Sequence, residues 1–155
     1  MAIELRGHPV IAHLKAEEGC RLKAYRCPAG KLTIGYGHNI DANGMPADIA
    51  SVSDAINRGI TKAQAEELLL RDAHIALDTA LRLVPNLEAM TPKRQTAVIG
   101  MAYQLGAATM ATFKGTLRAL NTNQWREAAR GMRLSKWAKQ TPGRVARLAR
   151  MIEEG

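Results

Sequence analysis

The chain has 155 residues, which is long enough for one ordinary hydrophobic core, and we expect a single folding unit. Apolar residues make up 46% of it, but no run approaches the roughly 18 apolar residues of a membrane helix, so the composition predicts a soluble protein. The net charge of +8 predicts attraction to polyanions such as nucleic acid, anionic lipid or a bacterial envelope. Charge alone does not choose among these partners.

The first predicted element is a helix that ends at Glu18. Pro9 suits its first position and Gly19 suits its end. The apolar side chains that lie between them at helical spacing are Val10, Ile11 and Leu14. The segment before Pro9 carries charges and no apolar stretch behind a basic start, so we expect no secretory signal peptide.

A hairpin is predicted next. Pro28-Ala29-Gly30 is a turn signal, and residues 32–37 alternate as a strand does. The glycines of that strand would let another chain or a ligand approach the backbone closely. Residues 39–60 are rich in turn signals and predict loop, with a short helix near residues 53–57.

The second half of the chain is predicted to be helical. Thr61 and Gln64 have the form of a capping box, which opens a helix that we expect to run to Val84 and to connect two lobes. Thr91-Pro92 and Thr141-Pro142 each have the form of an N-cap followed by proline. The last of these helices has an apolar face beside a row of arginines, which indicates a surface helix docked on the core or a segment that disturbs membranes.

Some kinds of site are not expected. Lys and Arg occur along the whole length without the stacking aromatics or reading helix of a nucleic-acid site, so we expect no nucleic-acid partner. The spacings of the histidines and cysteines match no zinc pattern, so we predict no metal. These residues are His8, His13, His38, His74, Cys20 and Cys27.

Glu18 is the strongest candidate for acid catalysis. A carboxyl group at a helix C-terminus lies at the negative end of the helix dipole, and Glu17 beside it adds another negative charge. Both effects favour the protonated form, which a glycosidic leaving group needs from a general acid. A solvated pair of glutamates is the alternative. Periodicity does not choose between Glu17 and Glu18, because each lies three or four residues from Leu14.

The stretch from Glu18 to His38 resembles the phage-type lysozymes, the endolysin muramidases of tailed phages. The motif is E-G-x-R-L-x-A-Y from Glu18, then Cys27 and Thr33, then T-I-G-Y-G-H ending at His38. Further stretches match in the family's order, so the resemblance covers most of the chain. These stretches are Gly59–Lys62, Asp72, Tyr103–Gly106, Phe113, Trp125, Ser135–Trp137 and Gln140–Arg144.

The resemblance implies a catalytic role for three residues. Glu18 is the general acid, and Thr33 and Cys27 assist the attack of water. The family usually has aspartate at the position of Cys27, and only a subset carries cysteine. Because an unperturbed thiol is mostly neutral at pH 7, we expect Arg26 and Lys31 to lower the pKa of Cys27. Whether Cys27 acts as base, acts as nucleophile or is dispensable is left open.

The resemblance also implies supporting roles. His38 and Asp72 would pair and tie the small lobe to the long helix, and Arg144 would lie close to the catalytic glutamate. The predicted substrate-binding residues, for which core packing is the alternative, are Tyr103, Gln104 and Thr116. A regulatory disulfide between Cys20 and Cys27 would remove the thiolate from the site; the alternative is that Cys20 is simply a buried thiol.

The implied fold is α+β and lysozyme-like. A small hairpin lobe (about 19–60) and a connecting helix (about 61–84) would be followed by a helical lobe (about 85–155) that includes the N-terminal helix 9–18. The glycan would bind in a cleft between the lobes.

The implied function is that of an endolysin for host-cell lysis, a monomer without a cofactor. It would hydrolyse the β-1,4 bond between N-acetylmuramic acid and N-acetylglucosamine in bacterial peptidoglycan. We expect it to be made in the host cytoplasm, to reach the wall with a holin or other aid, and to contact the anionic envelope weakly. The alternatives are a basic bacteriolytic protein that disrupts membranes through the last helix, and a lytic transglycosylase.

Overall fold

The computed structural model describes residues 2–155, which are mainly helical with one small antiparallel sheet, so the α+β prediction is confirmed. The first elements are α1 (Pro9–Glu18), β1 (Arg21–Arg26), β2 (Leu32–Gly35), β3 (His38–Asn39), α2 (Ile40–Asn43), α3 (Val52–Asn57) and α4 (Lys62–Leu83). After a 3-10 turn at Leu87–Ala89, the remaining helices are α5 (Pro92–Ala111), α6 (Lys114–Asn121), α7 (Trp125–Arg133), α8 (Lys136–Gln140) and α9 (Pro142–Glu154). No helix among these residues is both long and apolar enough to cross a membrane.

The described residues form two compact units. We call residues 14–72 the small unit, and residues 2–13 with 73–155 the helical unit. The boundaries fall inside α1 and α4, so each of these helices contributes residues to both units.

The sheet of the small unit has the order β1-β2-β3. Tyr25 pairs with Thr33 and Arg26 with Leu32, while the register is irregular between Arg21 and Tyr25. The predicted turn is present, since the Gly30 N–H donates to the Cys27 carbonyl at 2.7 Å. The core beneath the sheet consists of fully or almost fully buried side chains: Leu14, Ile34, Tyr36, Ile40, Ala55, Ile60, Ala65, Leu68 and Leu69.

The capping box that opens α4 is confirmed. The Gln64 N–H donates to the Thr61 hydroxyl at 3.1 Å, and the Thr61 N–H donates to the Gln64 side chain at 2.9 Å. These two bonds satisfy amides that have no partner inside the helix. The short helix predicted near residues 53–57 is α3, whose N-cap is the Ser51 side chain.

The helical unit follows the predicted pattern with one correction. The apolar face of α9 is buried as expected, and Thr91 caps α5 by accepting from the Arg94 N–H. Thr141 does not cap α9; its hydroxyl accepts from Gln104 at 3.2 Å instead. Gly106 breaks the helical backbone of α5 with φ 78° and ψ 167°.

Candidate active site

Glu18 is the last residue of α1, and its carboxyl group rests on the turn between β2 and β3. Gly19 ends the helix with φ 66°, and its N–H donates to the Lys15 carbonyl. A Cβ built on Gly37 would lie 2.5 Å from Glu18 Oε1 and 3.0 Å from Cδ. Real Cβ atoms do not come this close, so a larger residue at position 37 would require this carboxyl group to move. The glycines predict that another chain or a ligand approaches the backbone closely. In the structure, the group that approaches Gly37 is the carboxyl group of Glu18.

Cys27 lies directly after β1, in the turn that leads to β2. The turn is closed by the Cys27 N–H, which donates to the Lys31 carbonyl at 2.9 Å. The backbone amide of Lys31 lowers the pKa of the Cys27 thiol most strongly; slight burial opposes this, and the Ala29 amide and Thr33 hydroxyl lower the pKa further. The sequence predicts the direction of this shift, but it predicts the wrong cause, because backbone amides act here instead of the Arg26 and Lys31 side chains.

Thr33 lies on β2, with only 4% of its surface exposed. Its hydroxyl donates to the Lys31 carbonyl at 2.9 Å and contributes to the lowered pKa of the Cys27 thiol. A thiolate at Cys27 would attract the hydroxyl proton more strongly than a neutral thiol does, because hydrogen bonds to ionised acceptors are stronger.

We expect Cys27 to react with iodoacetamide at a lower pH than an ordinary thiol. Measured in Cys20→Ser, where Cys27 is the single thiol, the midpoint of the pH–rate profile should lie below the usual value for cysteine, because amides and a hydroxyl stabilise the thiolate. Thr33→Val should move this midpoint upward. An ordinary midpoint in Cys20→Ser would contradict the assignment.

His38 and Asp72 form the predicted pair within the small unit. His38 Nδ1 lies 2.7 Å from Asp72 Oδ2, and Nε2 lies 2.7 Å from the Gly44 carbonyl. Burial lowers the pKa of His38, but the bonds to Asp72 and Gly44 outweigh it, so the pKa is raised overall. The pair joins β3 to α4.

The His38–Asp72 pair predicts a pH-dependent stability. A raised folded-state pKa contributes stability that is fully present below the unfolded-state value near 6.5 and is lost as the pH rises through the folded-state value. Asp72→Asn should therefore lower the free energy of unfolding by about 1–3 kcal/mol near pH 5.5 and by less near pH 8.5. Denaturant titrations check this, with exposed Asp78→Asn on the same helix as the control. Equal losses at both pH values would contradict it.

Both cysteines are free thiols with different neighbours. Cys20 is exposed and lies near Tyr36, whose pKa it helps to raise, whereas Cys27 is half-buried in its own turn. The alternative of a buried Cys20 is therefore wrong. A bridge between the two cysteines stays a prediction.

The other predicted residues belong to the helical unit. Gln104 accepts from Trp137 Nε1 at 3.0 Å and donates to Thr141, which fixes its side chain on α5. Tyr103 lies beside it on the same helix and is half-buried, and Arg144 is half-buried near the start of α9. These positions stay predictions as substrate-binding or supporting residues.

Thr116 lines a cavity of about 550 Å³ within the helical unit, a volume typical of ligand pockets. The charged lining residues are Lys114, Glu127, Arg130 and Lys136. Of the predicted substrate-binding residues, Thr116 is the one that lines this cavity. The basic lining was not predicted.

The net positive charge is concentrated near the end of the chain, although Lys and Arg occur along its whole length. Residues 114–155 hold ten Lys or Arg and three Glu, a net charge of +7, whereas residues 1–113 hold twelve basic and eleven acidic residues. Counting charge by segment instead of over the whole chain would have found this concentration. Among residues 2–155, no three His, Cys, Asp or Glu side chains are grouped so that they could hold a metal ion.

Comparison with known proteins finds a match to one family over most of the chain. The family profile described as phage lysozyme matches residues 15–151. The chain is 32% identical to a probable T4-type lysozyme 1 of Dictyostelium discoideum, with 92% of each chain covered. It is 32% identical to an endolysin of Acyrthosiphon pisum secondary endosymbiont phage 1, over 81% of this chain and 75% of that protein. It is also 31% identical to the pre-baseplate central spike protein Gp5 of Enterobacteria phage T4, of which it covers 27%.

Proposed function

Because this chain belongs to the phage lysozyme family and is a glycoside hydrolase of peptidoglycan, we propose that it cuts the β-1,4 bond between N-acetylmuramic acid and N-acetylglucosamine, with Glu18 as the general acid. The observation that carries this proposal is the position of Glu18. Its carboxyl group lies at a helix end and close to Gly37, so a larger residue at position 37 would displace it. An acid that is positioned in advance transfers its proton to the glycosidic oxygen without first losing side-chain freedom.

We propose that Cys27 is the group that faces the attacking water. Its sulfur is half-exposed in a turn whose amides stabilise the thiolate, and a thiolate accepts a proton from water or opposes the positive charge that develops on the sugar. Thr33 would assist the attack of water together with Cys27, and because its hydroxyl helps to lower the pKa of the thiol it would also stabilise the Cys27 thiolate. Whether the sulfur attacks the sugar directly is a separate question, which the anomeric configuration of the new reducing end answers: a single attack by water inverts it, whereas a glycosyl–enzyme intermediate retains it.

Substrate binding is proposed for Tyr103, Gln104 and Thr116. Support comes from the hydrogen bonds that fix Gln104 and from the cavity beside Thr116, whose cationic lining suits the carboxylates of the peptide portion of peptidoglycan. His38, Asp72 and Arg144 would support the site without contacting the reacting bond. Because two of the similar proteins are named endolysins, we propose host-cell lysis as the biological role.

The proposal is tested by digestion of purified peptidoglycan and mass analysis of the fragments. Hydrolysis at the proposed bond should give fragments with reducing-end N-acetylmuramic acid. A lytic transglycosylase would give 1,6-anhydro ends, which are lighter by one water, and reducing-end N-acetylglucosamine would show that the other glycosidic bond is cut. Either of these results would contradict the proposal.

The proposed regulatory disulfide has its own test. Mild oxidation should inactivate the wild type, dithiothreitol should restore activity, and Cys20→Ser should resist this reversible loss. If the activity of Cys20→Ser is lost on oxidation and restored by dithiothreitol in the same way, the bridge between Cys20 and Cys27 is not the cause of the loss.

A further inference from the structure

The turn that carries Cys27 is held by a carboxylate from outside the hairpin. Asp41 lies on α2, and its Oδ2 atom accepts from the Leu32 N–H at 2.8 Å. Arg26 Nη1 donates to the same oxygen at 3.1 Å. Arg26 is the last residue of β1 and Leu32 is the first residue of β2. One oxygen atom of Asp41 therefore bridges the two ends of the turn.

Arg26 makes a second contact within the turn, since its Nη1 atom also donates to the Gly30 carbonyl at 3.0 Å. The Gly30 carbonyl and the Lys31 N–H belong to one peptide group, and the Lys31 carbonyl and the Leu32 N–H belong to the next. A trans peptide group is planar, so fixing its carbonyl also fixes the direction of its N–H, and the converse holds. Arg26 and Asp41 therefore hold the peptide groups on both sides of Lys31.

These two peptide groups contain main-chain atoms that act on Cys27. The Lys31 carbonyl accepts from the Cys27 N–H and from the Thr33 hydroxyl, each at 2.9 Å. The Lys31 amide is the group that lowers the pKa of the Cys27 thiol most strongly. The stability of a thiolate in this turn therefore depends on the orientation of the peptide groups that Asp41 and Arg26 hold.

The short helix α2, which carries Asp41, is fixed near both of its ends. At its start, the Asn39 side chain accepts from the Ala42 N–H at 3.0 Å. Directly after it, the Gly44 carbonyl lies 2.7 Å from Nε2 of His38, which is buried. Because α2 has only four residues, these two anchors leave Asp41 little freedom to move away from the turn.

We propose that Asp41 and Arg26 are positioning residues for Cys27, because they hold the peptide groups of Lys31 in the orientation that favours a thiolate. In this role neither side chain contacts the glycan or transfers a proton. The consequence for hydrolysis rests on the proposed function, in which Cys27 faces the attacking water.

The charge of Asp41 acts in the opposite direction to its hydrogen bonds. A carboxylate near a thiol disfavours the thiolate, whereas the hydrogen bonds of Asp41 hold the groups that favour it. The other charged side chains of the turn belong to Arg26 and Lys31. Both stay in place when Asp41 alone is replaced, so the direction of the change in Cys27 shows which effect of Asp41 is larger.

The test is the pH–rate profile of alkylation by iodoacetamide, measured in Cys20→Ser so that Cys27 is the single thiol. Adding Asp41→Ala should move the midpoint upward by about half a pH unit, because the peptide groups lose a hydrogen bond that orients them. If Asp41 acted through its charge alone, the midpoint would move downward. A downward shift or an unchanged midpoint would therefore overturn the proposal.

Two further variants sharpen this test. Asp54→Ala removes an equal charge from the small unit, but Asp54 lies 3.9 Å from Arg58 on α3 and should leave the midpoint unchanged. Asp41→Asn keeps an oxygen that can accept from the Leu32 N–H, so its midpoint should lie below that of Asp41→Ala. Equal midpoints in the two Asp41 variants would contradict the role of this hydrogen bond. The Asp41 side chain is 42% exposed, so neither variant leaves a buried cavity, and circular dichroism verifies the fold.

Hydrolysis of peptidoglycan is the second readout. If the reaction needs the Cys27 thiolate, the acid limb of the pH profile of kcat/KM should move upward in Asp41→Ala together with the alkylation midpoint. A shifted midpoint with an unshifted hydrolysis profile would support the positioning role and contradict the proposed role of Cys27 in hydrolysis. The two proposals can therefore fail separately.

Discussion

Glu18→Gln should lower the rate of peptidoglycan hydrolysis by about 10²–10⁴-fold while leaving the fold intact, since general acid catalysis typically contributes this much. Glutamine has almost the same shape as glutamate, so it should fit against Gly37 as the native residue does. It has no acidic proton to give to the leaving oxygen. The measurement is the rate of reducing-end formation on purified peptidoglycan, with thermal unfolding as the check on folding.

Glu17→Gln is the matched control for this prediction, because Glu17 precedes Glu18 on the same helix and has the same side chain. It should keep activity within a fewfold of wild type. If the two variants lose activity equally, the loss reflects the charge at the helix end and not proton transfer. If Glu17→Gln alone is inactive, the general acid has been assigned to the wrong glutamate.

Gly37→Ala should reduce activity by about a hundredfold and also destabilise the protein, because a displacement of roughly 1 Å at a reacting group costs this much in rate. The new methyl group would lie 2.5 Å from Glu18 Oε1, so the carboxyl group must move. The backbone at position 37 has φ 76°, which is strained for alanine and costs about 1–3 kcal/mol. Activity per folded molecule and the free energy of unfolding are both needed, because they separate the two effects.

Gly7→Ala supplies the comparison for the backbone strain. Gly7 has φ 81°, and a Cβ there would have no atom within 4 Å. This variant should lose a similar amount of stability and yet keep its activity per folded molecule. Normal activity in folded Gly37→Ala would show that the contact with Gly37 does not set the position of Glu18.

The sequence predicts most of the helices because their signals are local. Two helix starts are marked by neighbouring residues alone: the capping box of Thr61 and Gln64, and the Thr91 N-cap followed by Pro92. The apolar spacing of α9 specifies its buried face. Thr141 shows where local signals fail. Its hydroxyl accepts from Gln104, 37 positions away, so a tertiary hydrogen bond takes the group that the cap would use.

The candidate site was predicted in part. Family resemblance predicts catalytic roles for Glu18, Cys27 and Thr33, whereas spacing alone does not distinguish Glu18 from Glu17. The amides that act on Cys27 are backbone groups, and no residue type in the sequence marks them. Similarly, the sequence indicates only that Gly37 is a flexible residue of a strand. Its contact with Glu18 is recognised only from the position of the carboxyl group in the structure.

The turn around Cys27 bears on the aspartate that the family resemblance leads us to expect at this position. The groups that favour a negative charge there are the main-chain amides of Lys31 and Ala29, which remain whatever side chains those positions carry. An aspartate in place of Cys27 would meet the same donors. Exchange between a carboxylate and a thiolate at this position therefore leaves the main-chain donors of the turn unchanged. A change from aspartate to cysteine adds sensitivity to oxidants, because a thiolate is readily oxidised and a carboxylate is not.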